Sequence, residues 1–76
     1  MKDLLRYMIE AIVDEKEEIH IKEVDGEKTT IYEVKVSEND VGKIIGKKGR
    51  TINAIRTIAK ATANKDNKKV MVEVLQ

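Results

Sequence analysis

Residues 41–56 read VGKIIGKKGRTINAIR, and this stretch says more about the fold than any other part of the chain. Gly46 and Gly49 enclose two lysines, with paired isoleucines before them and isoleucines at helical spacing after them. Because glycine adopts backbone conformations that other residues avoid, the G-x-x-G segment predicts a tight turn between two apolar helices. Lys47 and Lys48 would give this turn a positive charge.

The charges are divided between the two halves of the chain, although the net charge is only +1. Residues 1–40 contain 6 basic and 12 acidic side chains, whereas residues 41–76 contain 9 basic and 2 acidic ones. The segment from Lys43 to Arg50 has no acidic residue. A cationic half concentrated around a glycine-rich turn favours a polyanionic partner. The alternative is that these lysines only keep the helices soluble.

Length and composition limit what the chain can be. Its 76 residues predict a single domain, residues 1–76, with a small core and no room for a separate catalytic domain. Cysteine is absent, so neither disulfides nor thiolate metal sites can contribute to stability. Arg6 and Glu10 interrupt the apolar residues near the start. We therefore expect no signal peptide and no membrane span, and a cytoplasmic location.

The first part of the chain predicts a helix followed by a strand. Apolar residues recur at steps of three and four over residues 3–14, which predicts an amphipathic helix. Residues 19–22 alternate with the period of a half-buried strand. Val24 is out of phase with this alternation. It indicates either a bulge near Glu23 or a strand whose exposure changes as it leaves the core.

Two further strands follow from alternation and turn chemistry. Asp25-Gly26 predicts a hairpin turn, because both residue types tolerate positive φ angles. The next strand would place Tyr32, Val34 and Val36 on one face and Ile31, Glu33 and Lys35 on the other. Valines alternate again over residues 70–74, which predicts a last strand.

Two helices are predicted on either side of the G-x-x-G segment. Ser37–Asp40 matches a capping box, in which the Ser37 hydroxyl accepts from the Asp40 amide and the Asp40 carboxylate reaches back. A short helix would run from there to about Ile45, and a longer one from the turn to residues 64–67. The residues expected on the buried side of the longer helix are Ile52, Ile55, Ile58, Ala59 and Thr62. The order α-β-β-α-α-β predicts an α+β domain, with a three-stranded mixed sheet and three helices packed on one face.

The full pattern G-x-x-I-G-K-K-G-x-x-I-x-x-I, residues 42–55, resembles the G-x-x-G region of KH domains. The helix-hairpin-first order is similar to the type II form of that fold. Length and whole-chain pattern resemble the small bacterial single-KH-domain RNA-binding proteins of the KhpA family, and the resemblance covers essentially the entire chain. It implies a non-enzymatic protein that binds single-stranded RNA through the G-x-x-G loop, which clamps about four nucleotides. It also implies a homodimer or a pairing with a larger KH-containing partner.

The residues give physical reasons for the same site. Gly46 and Gly49 lack side chains, so a sugar-phosphate backbone can approach the loop. Arg50 and Thr51 open the following helix, whose positive dipole end favours phosphate. The isoleucines around the turn form an apolar floor for bases, core, or both. Lys43, Arg56 and Lys60 either extend the charged track or are solvated helix residues. The candidate RNA-binding residues are Lys43, Ile44, Ile45, Gly46, Lys47, Lys48, Gly49, Arg50, Thr51, Ile52 and Arg56, with Lys60 as a possible extension of the track.

Other functions find little support in the sequence. The P-loop and the dinucleotide fingerprint are both missing, and Ser37 and His20 are the only serine and histidine. We expect no catalytic residues, no metal site and no cofactor. With Tyr7 and Tyr32 as the only aromatic residues, affinity would come from charge and an aliphatic groove rather than stacking. The rival hypothesis is an adaptor that keeps the KH fold but docks a protein partner, through its acidic first half.

Overall fold

The computed structural model of the chain describes residues 1–63 and 67–75. Within them the order of elements is α-β-β-α-α-β, as the sequence predicted, with a short 3-10 turn before the first strand and another between the last two helices. The elements are α1 (Lys2–Glu10), a 3-10 turn (Lys16–Glu18), β1 (His20–Asp25), β2 (Thr29–Lys35), α2 (Glu38–Ile45), a 3-10 turn (Lys47–Gly49), α3 (Arg50–Ala63) and β3 (Lys69–Val74). The predicted end of the long helix at residues 64–67 lies largely outside the described residues.

The three strands form one mixed sheet in the order β1-β2-β3. β1 and β2 are an antiparallel hairpin, and β2 and β3 are parallel because α2 and α3 form the crossover between them. The register of the hairpin is continuous from His20 opposite Lys35 to Asp25 opposite Thr30, so there is no bulge near Glu23. Val24 is 42% exposed, which leaves the change in exposure as the explanation of its phase.

The core lies between one face of the sheet and the three helices. β2 alternates strictly and buries Thr30, Tyr32 and Val34 on this face, as the period of two requires. The buried hydrophobic residues are Leu5, Ile9, Val13, Ile19, Ile21, Tyr32, Val34, Val36, Ile44, Ile52, Ile55, Ala59, Ala63, Val70 and Val72. Every helix and every strand contributes to this list, as a domain of this size requires.

Two helical predictions need correction. α1 ends at Glu10 rather than near residue 14, because the chain turns at Ala11 and both Ile12 and Val13 donate to the carbonyl of Ile9. Ile58 was expected in the core but is 45% exposed, since the face of α3 that packs on the sheet runs through the small residues Ala59 and Ala63 instead. Thr62 is half-buried. Among the described residues, no helix is both long and apolar enough to cross a bilayer.

Candidate nucleic-acid interface

The segment Gly46–Gly49, here called the G-x-x-G turn, joins α2 to α3 through an unusual backbone. Gly46 ends α2 with φ 76° and ψ 172°, a region that is nearly restricted to glycine. Lys48 has φ 56° and Gly49 has φ 74°, so both lie in the left-handed region. A single 3-10 turn, closed by the Gly49 amide on the Gly46 carbonyl at 3.1 Å, fits between the two helices. The two helices thus meet with only four residues between them.

The two glycines are required for different reasons. A Cβ on Gly46 would lie 2.7 Å from the Cβ of Thr51 and 2.8 Å from its backbone nitrogen, so Thr51 packs directly against the bare Cα. A Cβ on Gly49 would meet only the Asn53 side chain, at 3.7 Å. Gly46 is therefore needed for both packing and conformation, whereas Gly49 is needed only for its positive φ.

The cations of the turn and of the first residue of α3 are exposed to solvent. Lys47, Lys48 and Arg50 are exposed, and none of them has a carboxylate within 4.0 Å in the part of the chain that the structure describes. Arg50 is the first residue of α3, whose first turn contains no acidic residue. The positive end of the α3 dipole and three exposed cations therefore coincide at one edge of the domain.

Lys43 was grouped with these cations in the sequence, but the fold gives it carboxylate partners. Its ammonium group donates to Asp14 and lies 3.5 Å from Oδ1 of Asp40. The hydrogen bond to Asp14 raises the pKa of the Lys43 ammonium. The charge of Lys43 is thus largely matched within the protein itself, even though its side chain remains partly exposed.

Asp40 is the centre of a junction between the end of α1 and the start of α2, which we call the Asp40 junction (Asp14, Glu15, Ser37, Asp40 and Lys43). Its carboxylate is buried and accepts the backbone amides of Asp14 at 3.2 Å and Glu15 at 3.0 Å. The amide of Glu15, and after it the amide of Asp14 and the ammonium of Lys43, hold the pKa of Asp40 below its ordinary value.

The capping box predicted for Ser37–Asp40 does not form, because both side chains have other partners. Ser37 is the N-cap of α2, but its hydroxyl accepts from the Asn39 amide at 3.3 Å and donates to the carboxylate of Glu15. The Asp40 amide donates instead to the Ser37 carbonyl at 2.8 Å. The Asp40 carboxylate does not reach back, because it binds two amides more than twenty residues away in sequence. A tertiary contact has taken the place of a local one.

The three isoleucines around the turn differ in exposure. Ile44 is fully buried and Ile52 is 6% exposed, so both belong to the core. Ile45 is half-buried and is the only one of the three with appreciable surface. A base approaching the turn would meet Ile45 first.

A groove runs along α3 and the outer edge of β3, and we call it the β3 groove. It consists of two adjoining cavities of about 510 and 260 Å³ that share Lys60, Val70 and Met71. Arg56 lies in it, and its Nε donates to the carbonyl of Val72 at 3.1 Å. The remaining lining residues are Lys68, Lys69, Val72 and Glu73.

Sequence reasoning proposed Arg56 and Lys60 for this surface but missed the contribution of β3. Lys68 and Lys69 precede the valine alternation directly, and a basic pair at the start of an edge strand was the available signal. Met71 is 49% exposed beside them. Among the described residues, no group of three or more His, Cys, Asp or Glu side chains is arranged to hold a metal ion.

The element order α-β-β-α-α-β, one three-stranded mixed sheet and a G-x-x-G turn between α2 and α3 together define a KH domain of type II. The family model for the KH domain of KhpA and KhpB matches residues 2–74 of the sequence. The chain belongs to this family. KH domains are not a class of enzymes.

Similar proteins span the whole length of the chain. A protein of Chlamydia trachomatis named RNA-binding protein KhpA is 51% identical over 76 residues, which cover all of this chain and 97% of the relative. The protein of the same name from Clostridium perfringens is 51% identical over 99% of this chain and all of the relative. That of Borreliella burgdorferi is 44% identical over 96% of this chain and 89% of the relative. All three relatives are bacterial.

Proposed function

We propose that this chain binds single-stranded RNA, without catalysing a reaction, through the G-x-x-G turn and the aliphatic and cationic surface beside it. The observation that carries the proposal is the turn itself: Lys47 and Lys48 are exposed and without carboxylate partners among the described residues, directly before the start of α3. The relatives named RNA-binding protein KhpA support the choice of RNA.

In this proposal each part of the site has a physical task. The open space beside the Cα of Gly49 lets the sugar-phosphate backbone approach the turn closely, while Gly46, whose Cβ position is filled by Thr51, gives the turn its shape. The phosphates would lie near the first turn of α3, where Lys47, Lys48 and Arg50 add charge to the helix dipole. The bases would point toward Ile45 and the β3 groove, where Arg56 and Lys60 extend the cationic surface.

The small size of the turn limits the affinity of one copy. If about three phosphates are neutralised, log K would fall with log salt at a slope of about −2 for a single strand. Weak binding by one module is strengthened when two modules act on one strand. We therefore propose that the chain acts in the cytoplasm as a homodimer or together with a larger KH-containing protein.

The test measures the binding of a fluorescent pool of single-stranded RNA by anisotropy, at low and at physiological salt. The variant Lys47→Asp, Lys48→Asp is expected to lose the salt-sensitive signal while keeping its thermal unfolding midpoint, because both side chains are exposed. The matched control is Lys16→Asp, Lys28→Asp, which changes the net charge equally at lysines that line neither the turn nor the β3 groove. Equal binding by all three proteins would contradict the proposal and favour the adaptor that docks a protein partner.

A further inference from the structure

A second cationic surface lies on the β1–β2 hairpin, in the half of the sequence that is acidic overall. A shallow groove of about 360 Å³ runs from the first turns of α1 across β1 to the end of β2. We call it the α1–β1 groove. Its polar lining consists of the cations Lys2, Arg6, Lys22 and Lys35 together with His20 and Glu33. None of them belongs to the G-x-x-G turn or to the β3 groove.

Most of the basic side chains in the first half of the chain line this groove. Residues 1–40 contain 6 basic and 12 acidic side chains, and the groove is lined by four of the basic ones, by the only histidine and by one carboxylate. Lysines that only solubilised the surface would be interspersed with the more numerous acidic residues. Of the 12 acidic side chains in residues 1–40, Glu33 alone lines the groove, against four basic ones, so the groove carries an excess of positive charge on an otherwise negative half.

The sheet register explains why these cations are neighbours. His20 pairs with Lys35 across the hairpin and Lys22 pairs with Glu33, and the period of two puts all four on the face that the helices leave open. Lys2 and Arg6 lie one turn apart on α1 and approach the same edge of β1. Three separate elements therefore place cations around one groove.

The protein itself does little to neutralise them. Within residues 1–63 and 67–75, no carboxylate lies within 4.0 Å of the ammonium groups of Lys2, Lys22 or Lys35. Arg6 is 3.9 Å from Glu10, an exposed contact of a kind that contributes little. Glu33, opposite Lys22 across the hairpin, balances one of the four cations in part, and a bound polyanion would balance the others.

We propose that the α1–β1 groove is a second contact for the phosphate backbone of the same single-stranded RNA, an inference that rests on the function proposed above. Lysine is a mobile point charge, which suits sequence-independent contact with phosphates. The longest dimension of the domain is 34 Å. At about 3.4 Å per stacked nucleotide, roughly ten nucleotides cover that distance. A longer strand can therefore contact both surfaces, whereas a short one occupies only the G-x-x-G turn.

RNA length separates the two surfaces experimentally. The variant Lys22→Gln, Lys35→Gln removes two cations from the groove and is compared with Lys16→Gln, Lys28→Gln, which removes the two basic residues of the first half that lie outside it. For an oligonucleotide of about 20 nucleotides, the groove variant should reduce the magnitude of the salt slope by about 1.4, because each phosphate contact on a single strand contributes about 0.7. An oligonucleotide of about four nucleotides, the number that a KH loop clamps, should bind equally to the native chain, the groove variant and its control.

Three outcomes distinguish the hypotheses. Equal slopes for the groove variant and its control on the long RNA would overturn the second contact, while loss of binding by the Lys47→Asp, Lys48→Asp protein would still support the turn. If that loop variant binds as well as the native chain, the proposed function is wrong, and the second contact that rests on it is wrong as well. If the groove variant loses binding to vesicles of anionic phospholipid but keeps its slope on long RNA, the groove serves a membrane surface and our proposal is wrong.

Discussion

Lys43 and Lys48 are five residues apart in the same basic stretch, yet the fold treats their charges in opposite ways. Lys43 projects from α2 into the Asp40 junction, where Asp14 and Asp40 are both close. Lys48 projects from the G-x-x-G turn and has no carboxylate within 4.0 Å among the described residues. One basic stretch of sequence therefore contains both a cation paired with carboxylates of the fold and a cation exposed to a ligand. Which is which depends on distant acidic residues.

The two regions also differ in what holds them. The Asp40 junction is built from a buried carboxylate that ties the chain after α1 to the start of α2. The G-x-x-G turn is held by steric contact between Thr51 and Gly46 and by backbone conformations open to glycine. In the Asp40 junction the charges pair with one another and hold the helices in place. In the G-x-x-G turn the cations are exposed to a ligand. The experiments below test this division.

The largest effect is expected from the two glycines of the turn. Gly46→Ala should lower the free energy of unfolding by about 3 kcal/mol, because the new Cβ overlaps Thr51 and the backbone region is nearly closed to alanine. Gly49→Ala should cost only about 1 kcal/mol, the usual penalty of the left-handed region without a steric overlap. Urea unfolding of both variants measures the difference. Equal losses would mean that Thr51 does not lock the turn.

The next effect concerns the junction and its dependence on pH. Asn at position 40 keeps one acceptor oxygen, and its amide group would oppose the second of the two backbone amides that Asp40 now accepts. Asp40→Asn should therefore lower the unfolding midpoint at neutral pH. Because the folded pKa of Asp40 lies below the ordinary value of 3.8, its contribution is present above that value and is lost as the pH falls through the folded pKa.

Thermal unfolding of both proteins from neutral to acid pH checks this sign. The native chain should lose stability below about pH 4 more steeply than Asp40→Asn. Asp25, whose pKa is also lowered, through its hydrogen bond with Lys68, is present in both proteins and cancels in the comparison. Parallel curves would show that the pKa of Asp40 is not lowered in the folded protein.

The smallest effect sharpens the comparison between the two lysines. Lys48→Gln should reduce the magnitude of the RNA salt slope by about 0.7, the contribution of one phosphate contact on a single strand, and leave stability unchanged. Lys43→Gln should leave the slope nearly unchanged and lower stability, because Asp14 and Asp40 lose their cation. Anisotropy titrations over a range of salt and thermal unfolding provide the two readouts. A slope change in Lys43→Gln as large as that in Lys48→Gln would remove the distinction drawn here.

The order of the elements, the two faces of β2 and the position of the turn follow from the amino-acid sequence alone. Alternation assigned Tyr32, Val34 and Val36 to one face of a strand, and the structure buries all three. Gly46 and Gly49 marked a break between two helices, and the structure places both in the positive φ region there. These features were readable because periodicity and backbone freedom are local properties, set by residues a few positions apart.

The roles of the charged residues depend on how the helices and strands pack together. Asp40 was predicted to cap its own helix, but it binds amides at positions 14 and 15, and the same contacts accompany the early end of α1. Arg56 reaches a carbonyl of β3, and the cations of the first half gather around one groove because a hairpin register aligns them. Long charged side chains find partners across distances that no sequence period encodes. Their roles therefore emerge only when the helices and strands are packed together.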